Sequence, residues 1–403
     1  MFKESRLLLC LLIIALLAAG ANSQIYVRAS ETRSWGVERI HAHCLWDNND
    51  DKILDNGANA GNGTLIVVID TGLDYYIGQS GKVIHPDLAD NVARNITDGG
   101  AKFYWDPFAQ LIEITPGSYE DIYGHGTHVA GILAAVDNDI GVIGVAPKAY
   151  IYVMKLATRH HMEVAAAINN AVSIGARIIV TSITTYYNYA EVETACNSAF
   201  AHGLLLFASA GNDNNSTICY PAKYSSVIAV GAINKNDQRW AYSNFGSELE
   251  FVAPGVDVNS TYLDESYMEL SGTSMACPHV AGAAALIWRS KSDPDYTGGV
   301  NNTWNNTSVR AKLRDWALDL GDSGWDMYYG YGLINCWAPN QRPLGDINND
   351  LKVDGRDVSI VQRAYDSYPG HPLWDATADI NIDNKVDGRD HAIIQKNFGK
   401  VDP

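Results

Sequence analysis

Three short segments hold the residue types from which nucleophilic acyl chemistry is built. VIDTGLD (68–74) ends an apolar run on Asp70, and GHGTHVAG (124–131) opens a run of small residues on His125. SGTSMACPHVAG (271–282) places Ser274 just ahead of a long apolar stretch, AGAAALIW. An alcohol is a poor nucleophile at neutral pH and needs an adjacent base. An imidazole supplies that base, and a carboxylate fixes its tautomer. Singly, each piece has a plainer reading: a turn Asp, a structural His, an N-cap Ser. The third segment also contains Cys277 and His279, so a cysteine nucleophile has to be weighed. At i, i+2 those two do not face one another on a helix. Cys277 therefore reads as a small buried residue, and Pro278 is expected in the first helical turn, where its missing N–H is harmless.

The elements that must position these groups are legible as alternating patterns. TLIVVID (64–70), AYIYVMKL (149–156), ARIIVTSI (176–183), LLLFASAGN (204–212) and SVIAVGAI (226–233) are continuous apolar, β-rich runs. Such runs predict buried parallel strands. Between them, 125–135, 164–174 and 192–201 carry helical patterns. The expectation is an α/β fold, a parallel sheet with helices on both faces. Function in such sheets gathers at the carboxyl ends of the strands, where Asp70 stands.

Taken together, DTG, HGTH and GTSMACPHVAG resemble the three motifs of the subtilisin-like serine proteases, the subtilases, and fall in that family's order Asp, His, Ser. SAGN (209–212), YPAKYSSVIAVGA (220–232), FVAPG (251–255) and GYGLIN (330–335) are similar to the family as well. The resemblance implies a catalytic set of Asp70, His125, Ser274 and Asn212. In it Ser274 is the nucleophile, His125 the general base, Asp70 its orienting partner and Asn212 the side-chain oxyanion donor. The backbone N–H of Ser274 is the second oxyanion donor. The implied activity is endopeptidase cleavage of a polypeptide substrate. An exopeptidase with the same groups, or a non-catalytic calcium-dependent scaffold or adhesion protein on a protease-like fold, are the alternatives.

Two features depart from the family. Ser182-Ile183-Thr184-Thr185 stands where Ser-Leu-Gly-Gly is common beside the specificity pocket. Two β-branched residues there, with Cys219 before Tyr220-Pro221, imply a narrower or reshaped pocket. The segment ATRHHMEVAAA (157–167) is short where the family usually offers substrate an edge strand. His160 and His161 within it are expected to be solvated or at a rim.

Beyond APNQRP (338–343), a linker-like stretch, DINNDLKVDGRD (346–357) returns 33 positions on as DINIDNKVDGRD (379–390). Each copy has oxygen donors at positions 1, 3, 5, 9 and 12 of a twelve-residue loop, a pattern that suits calcium. These are Asp346, Asn348, Asp350, Asp354 and Asp357, then Asp379, Asn381, Asp383, Asp387 and Asp390. Lys352 and Lys385 would offer backbone carbonyls. The pair resembles a dockerin module, a small all-α calcium-loop domain, which implies a cohesin-like or cell-surface protein partner. Leu351 and Asn384 stand where such loops usually carry Gly, and Gly355-Arg356 and Gly388-Arg389 where dockerins often carry hydroxyl residues. A further calcium site is implied by resemblance at VDNDIGV (136–142) and HPDL: Asp87, Asn138 and the carbonyls of Val136, Ile140 and Val142. DNNDDKILD (47–55) reads as a solvated loop.

The chain as a whole is 403 residues with a formal net charge of −17, which argues against a nucleic-acid partner. Lys3 and Arg6 precede an apolar run and Ala21-Asn22-Ser23 supplies small residues, so 1–23 is expected to be a secretory signal. The reading is 1–23 signal, 24–340 peptidase and 341–403 dockerin-like module. The mature chain is expected outside the cell or on its surface, with no membrane span once the signal is removed. About ten residues then precede SWGVERI (34–40), where the family usually carries a folded pro-domain, so either folding proceeds without that chaperone or the chain misfolds alone. Five cysteines remain, an odd number that leaves at least one unpaired. Cys44–Cys336 and Cys196–Cys219 are pairings to test. Asn62, Asn95 and Asn259 lie in glycosylation sequons.

Overall fold

The computed structural model describes residues 31–47, 54–55, 58, 60–78, 81–93, 96–288, 305–336, 353, 355–369, 371–373, 378 and 385–398. The expected signal, the linker 338–343, most of 47–55 and, Val353 apart, the first calcium loop up to Asp354 lie outside these residues. So do Asp379, Asn381 and Asp383.

One eight-stranded sheet organises the large domain. Its strands are β1 (Leu65–Asp70), β2 (Gly100–Asp106), β3 (Leu111–Pro116), β4 (Tyr150–Leu156), β5 (Ile178–Thr181), β6 (Leu205–Ser209), β7 (Val227–Ile233) and β8 (Leu249–Pro254). They lie in the order β8-β7-β6-β5-β1-β4-β2-β3. All neighbours are parallel except β2 and β3, an antiparallel hairpin at one edge. The central strands are apolar throughout because both of their faces are covered: every residue of β6 and β7 is buried.

Helices α1 (His125–Ala134) and α4 (Thr273–Ile287) pack together on the sheet, and α2 (His161–Ser173) pairs with α3 (Ala190–Ala201). A further helix, α5 (Asn306–Trp316), rests on α4. All fifteen residues of α4 are buried, which its run of Ala, Gly and Val permits. The five expected strands and three expected helices are all present, with ends displaced by no more than three residues. The β2–β3 hairpin is an addition. KFYWDPFAQLIEITP hid it because β3 is an exposed edge strand with little apolar contrast, and Pro107 reads as a breaker. Asp106 closes the turn by accepting the N–H groups of Phe108 and Ala109 at 2.8 and 3.0 Å.

Near the C-terminus, α6 (Gly355–Ala364) and α7 (Gly388–Asn397) pack on each other around Val353, Val361, Ala364, Ala378, Val386 and Ile394. Asp366 N donates to Val386 O and Val386 N to Ser367 O, so the end of the first repeat is tied to the start of the second. Among the described residues no helix is long and apolar enough to cross a membrane.

Candidate active site

Three neighbouring strands deliver the site to one edge of the sheet. Asp70 is the last residue of β1, and Ile69 pairs with Thr181 at the end of β5. Thr181 pairs in turn with Ala208 near the end of β6, three residues short of Gly211 and four short of Asn212. The first turn of α4 reaches the same edge, where Ser182 Oγ donates to Ser274 O at 3.4 Å.

Asp70 is 1% exposed, and its Oδ1 lies 2.7 Å from His125 Nδ1 while accepting Thr71 N, also at 2.7 Å. This bond assigns the proton to Nδ1 and leaves Nε2 as an acceptor. The negative charge of Asp70, and secondarily its hydrogen bond, raises the His125 pKa against the opposing effect of burial. The glycines around the pair are there for room. A Cβ on Gly126 would stand 2.3 Å from Gly72 O, and one on Gly124 (φ 83°) would stand 2.3 Å from the Tyr262 ring. Gly126 N donates to Thr71 Oγ1, and Thr127 bridges Asp121 and Asp74 N, so the DTG and HGTH segments are bonded into one unit.

Ser274 is the second residue of α4 and 8% exposed. Asn212 Oδ1 accepts Thr273 N at 2.9 Å and Thr273 Oγ1 at 2.8 Å, which holds the exposed side chain; its amide nitrogen would lie 3.6 Å from a Cβ built on Gly272, two residues before Ser274. Cys277 is fully buried, and burial raises its pKa, so no thiolate is offered. His279 is also fully buried. Its Nδ1 donates to Met275 O at 2.8 Å, and burial pushes its pKa down to about 4. His128, 0% exposed, bonds Met268 O and is likewise lowered to about 4.

Pro278 corrects the expectation of a first-turn proline. It is the sixth residue of the helix, and its ring removes the bond that Ser274 O would otherwise accept. The hydroxyl of Ser182 donates to that carbonyl instead. No disulfide is formed by Cys196, Cys219, Cys277 or Cys336, so neither considered pairing is present.

His160 and His161 are not fully solvated, and of the two expectations the rim is the one the structure fits: they are half-buried beside a cleft and stacked, His160 on Trp105 with ring centroids 5.4 Å apart and His161 on Tyr189 at 4.1 Å. Residues 157–160 form no strand, because α2 begins at His161. Glu163 holds that segment: its buried carboxylate accepts Trp105 N, Thr158 N, Thr158 Oγ1 and Arg159 N at 2.7 to 3.0 Å. Sequence reading missed Glu163, since one acid near a helix start gives no sign of burial. Thr158, His161, Ile183, Thr185, Tyr189 and Tyr220 line a cleft of about 600 Å³ here.

The loop 136–142 wraps an oxygen-rich centre. Asp87 is 0% exposed: Oδ2 accepts Val142 N at 3.0 Å, whereas Oδ1 is buried with no hydrogen-bond partner. Asn138 Oδ1 accepts Ile140 N, and Asn138 N donates to Glu31 Oε1 at 2.9 Å. Burial first, then the nearby carboxylate of Asp137, raises the Glu31 pKa to about 8. An orphaned buried carboxylate oxygen among oxygen donors fits a hard cation. Glu31 was missed because its place beside this loop depends on a contact 107 residues away. Among the described residues no three His, Cys, Asp or Glu side chains are gathered as a metal cluster, so amide and backbone oxygens would have to complete the shell.

In the C-terminal pair, Asp357 and Asp390 occupy equivalent places at helix starts and both are fully buried. Asp387 caps α7: it accepts Arg389 N, while Asp390 accepts Asp387 N, each at 2.8 Å. Lys385 is exposed. Buried acids repeated 33 positions apart fit the reading of cation loops.

A parallel α/β sheet with an Asp–His pair at its carboxyl edge, beside a buried serine at a helix start, defines a serine endopeptidase of the subtilisin type. The chain belongs to the Subtilase family, whose profile matches residues 61–332, and a Dockerin type I domain matches 344–399. It is 37% identical over 310 residues to Subtilisin BL of Lederbergia lenta, covering 75% of this chain and 97% of that one. A thermostable alkaline protease of Halalkalibacterium halodurans is 38% identical over 319 residues, 78% and 75% of the two chains. Subtilisin E of Bacillus subtilis is 39% identical over 296 residues, 72% and 68%.

Proposed function

We propose that this subtilisin-like serine endopeptidase works through Ser274, His125 and Asp70. Ser274 Oγ attacks the scissile carbonyl and passes its proton to His125 Nε2. His125 returns the proton to the leaving amine, which departs and leaves an acyl-enzyme. Water, deprotonated by the same nitrogen, attacks the acyl carbon; the bond to Ser274 Oγ breaks, the acid leaves, and the proton passes from His125 Nε2 back to Ser274 Oγ. Asp70 keeps the imidazole in the Nδ1–H tautomer and stabilises imidazolium. The Asn212 amide and the Ser274 backbone N–H hold the oxyanion. The observation that carries this reading is the 2.7 Å Asp70–His125 bond at the strand edge that also receives the first turn of α4.

In this proposal residues 24–340 are the peptidase and 341–403 the dockerin-like module, exported behind a signal at 1–23. Calcium is the bound ion. In the large domain Asp87, Asn138 and the carbonyls of Val136, Ile140 and Val142 would hold it, with Glu31 added. In the module the two loops ending at Asp357 and Asp390 would hold two more. The ion supplies charge neutralisation for oxygens that folding has buried; the chemistry of bond cleavage belongs to the side chains. The module attaches the enzyme to a cohesin-like or cell-surface partner.

Labelling with a serine-directed fluorophosphonate, with and without a calcium chelator, tests the reading. A single adduct on Ser274 that fades on chelation is expected; an adduct elsewhere, or none with calcium present, would defeat it.

A further inference from the structure

The helix that carries His125 has no cap of its own. Its N-cap residue is Gly124 (φ 83°), which offers no side chain to the first turn. A helix start leaves N–H groups without intrahelical acceptors, and buried ones must find them elsewhere. Here two other segments supply them. Gly126 N donates at 2.9 Å to the hydroxyl of Thr71, the residue after Asp70. Thr127 N donates at 3.0 Å to Oδ2 of Asp121, which precedes the cap by three residues.

Asp121 is 4% exposed, and both of its carboxylate oxygens are engaged. Oδ1 accepts Tyr123 N at 3.0 Å, and Oδ2 also accepts Thr127 Oγ1 at 2.8 Å. The Thr127 hydroxyl in turn accepts Asp74 N at 2.9 Å. The backbone closes the same circuit: Asp121 N donates to Leu73 O at 2.9 Å, and Leu73 N to Tyr119 O at 2.8 Å. A Cβ on Gly72 (φ +129°) would lie 2.8 Å from Asp121 N, so the two segments meet without spare room. One side chain therefore ties the start of α1 to the chain that leaves β1 just after Asp70. Its charge acts at a distance as well. Asp70 raises the His125 pKa most, burial opposes it, and Asp121 adds a smaller push in the same direction as Asp70, which Arg159 counters. The neighbouring His128 is uncharged at ordinary pH, since burial lowers its pKa to about 4. Around Asp121 itself stand Lys155 of β4 and, in a cleft of about 320 Å³, Asp74, Glu120, Asp264 and Glu265.

We infer that Asp121 is a positioning residue for the reaction: it caps the helix start that presents His125, fixes it against the strand end that presents Asp70, and turns a second negative charge toward the imidazole. The inference rests on the Ser274–His125–Asp70 reading and goes beyond it, because Asp121 acts only through His125. Asparagine cannot replace it in full. Both carboxylate oxygens accept from N–H groups, whereas an amide has one oxygen, so its NH2 would face a donor.

The test uses the full chain with calcium, its active sites titrated to completion with a serine-directed fluorophosphonate and its folding followed by thermal melting. The values of kcat and KM per titrated site, and the pH–rate profile, are then measured on one short peptide anilide. Asp121→Asn is expected to lower kcat by about tenfold with KM little changed, as when a catalytic group is slightly misplaced. Its acid limb should move to lower pH, since one of two negative charges facing His125 is gone. Thr127→Val keeps that charge and loses the hydroxyl bridge. Its kcat should fall by about threefold with the acid limb unmoved. This second variant carries the test if Asp121→Asn fails to fold. Parent kcat in a fully labelled Asp121→Asn or Thr127→Val enzyme would overturn the inference, whatever its melting temperature, because the cap would then be structural alone. So would an Asp121→Asn acid limb at the parent pH. No labelling of the parent enzyme would remove the Ser274 reading, and this inference with it.

Discussion

Asn212 Oδ1 is held twice by one residue, accepting both the N–H and the hydroxyl of Thr273, at 2.9 and 2.8 Å. Thr273 immediately precedes Ser274, so the helix that presents the proposed nucleophile also holds the proposed side-chain oxyanion donor. Asn212→Ala is expected to lower kcat by about 10²–10³, a magnitude established on subtilisin itself, with KM little changed. Thr273→Val, which removes one of the two bonds, is expected to lower kcat less. Steady-state kinetics on both variants checks this; an unchanged rate in Asn212→Ala would remove that residue from the site.

The serine and the nearby cysteine make a sharp comparison. Ser274→Ala is expected to abolish turnover, measured as acyl-enzyme burst and steady state. Cys277→Ser should keep most of it and lose about 1–3 kcal/mol of stability, because a buried hydroxyl replaces a thiol among apolar neighbours. Equal loss of turnover in the two variants would reverse the assignment.

The Asp70 charge raises the pKa of His125, and only neutral His125 can act as base. Activity should therefore fall as pH drops through a value above that of a free imidazole. Asp70→Asn should move this acid limb to lower pH while cutting kcat by about 10⁴. The same linkage makes the pair's contribution to folding stability complete at low pH, below the unfolded imidazole pKa, and lost as pH rises through the folded one. A pH–rate profile whose acid limb is the same in both proteins would contradict the proposed coupling.

Removal of calcium should cost stability before it costs chemistry. An ion at 100 times its dissociation constant contributes about 2.7 kcal/mol. Chelation should lower the melting temperature of the full chain, and Asp87→Asn or Glu31→Gln should shrink the calcium-dependent part of that shift. A shift of unchanged size in both variants would place the ion elsewhere.

Glu163 holds three backbone N–H groups and one hydroxyl at the rim of the cleft. Glu163→Ala is expected to cost about 1.5–3 kcal/mol in denaturant unfolding, the usual worth of hydrogen bonds to a charged group. It should also raise KM for long peptides more than for short ones. A variant as stable as the parent would show that the loop is held by other contacts.

Much of this molecule is written in local order. Strands buried on both faces must be apolar without interruption, so β1, β4, β5, β6 and β7 can be found from composition alone. DTG, HGTH and GTSMACPHVAG carry their glycines and small residues because backbones meet there, as at Gly126 against Gly72 O. The 33-residue repeat is equally visible. What the residues could not disclose depends on distant partners. The β2–β3 hairpin exists because β4 offers it an edge. Glu31 joins the oxygen-rich loop 136–142 because Asn138 is folded against it. His160 and His161 stack because Trp105 and Tyr189 arrive beside them. Pro278 is tolerated inside α4 because Ser182 reaches the carbonyl it leaves free. In each case the decisive energy is a contact between segments far apart in the chain, and no local pattern encodes which segments will meet.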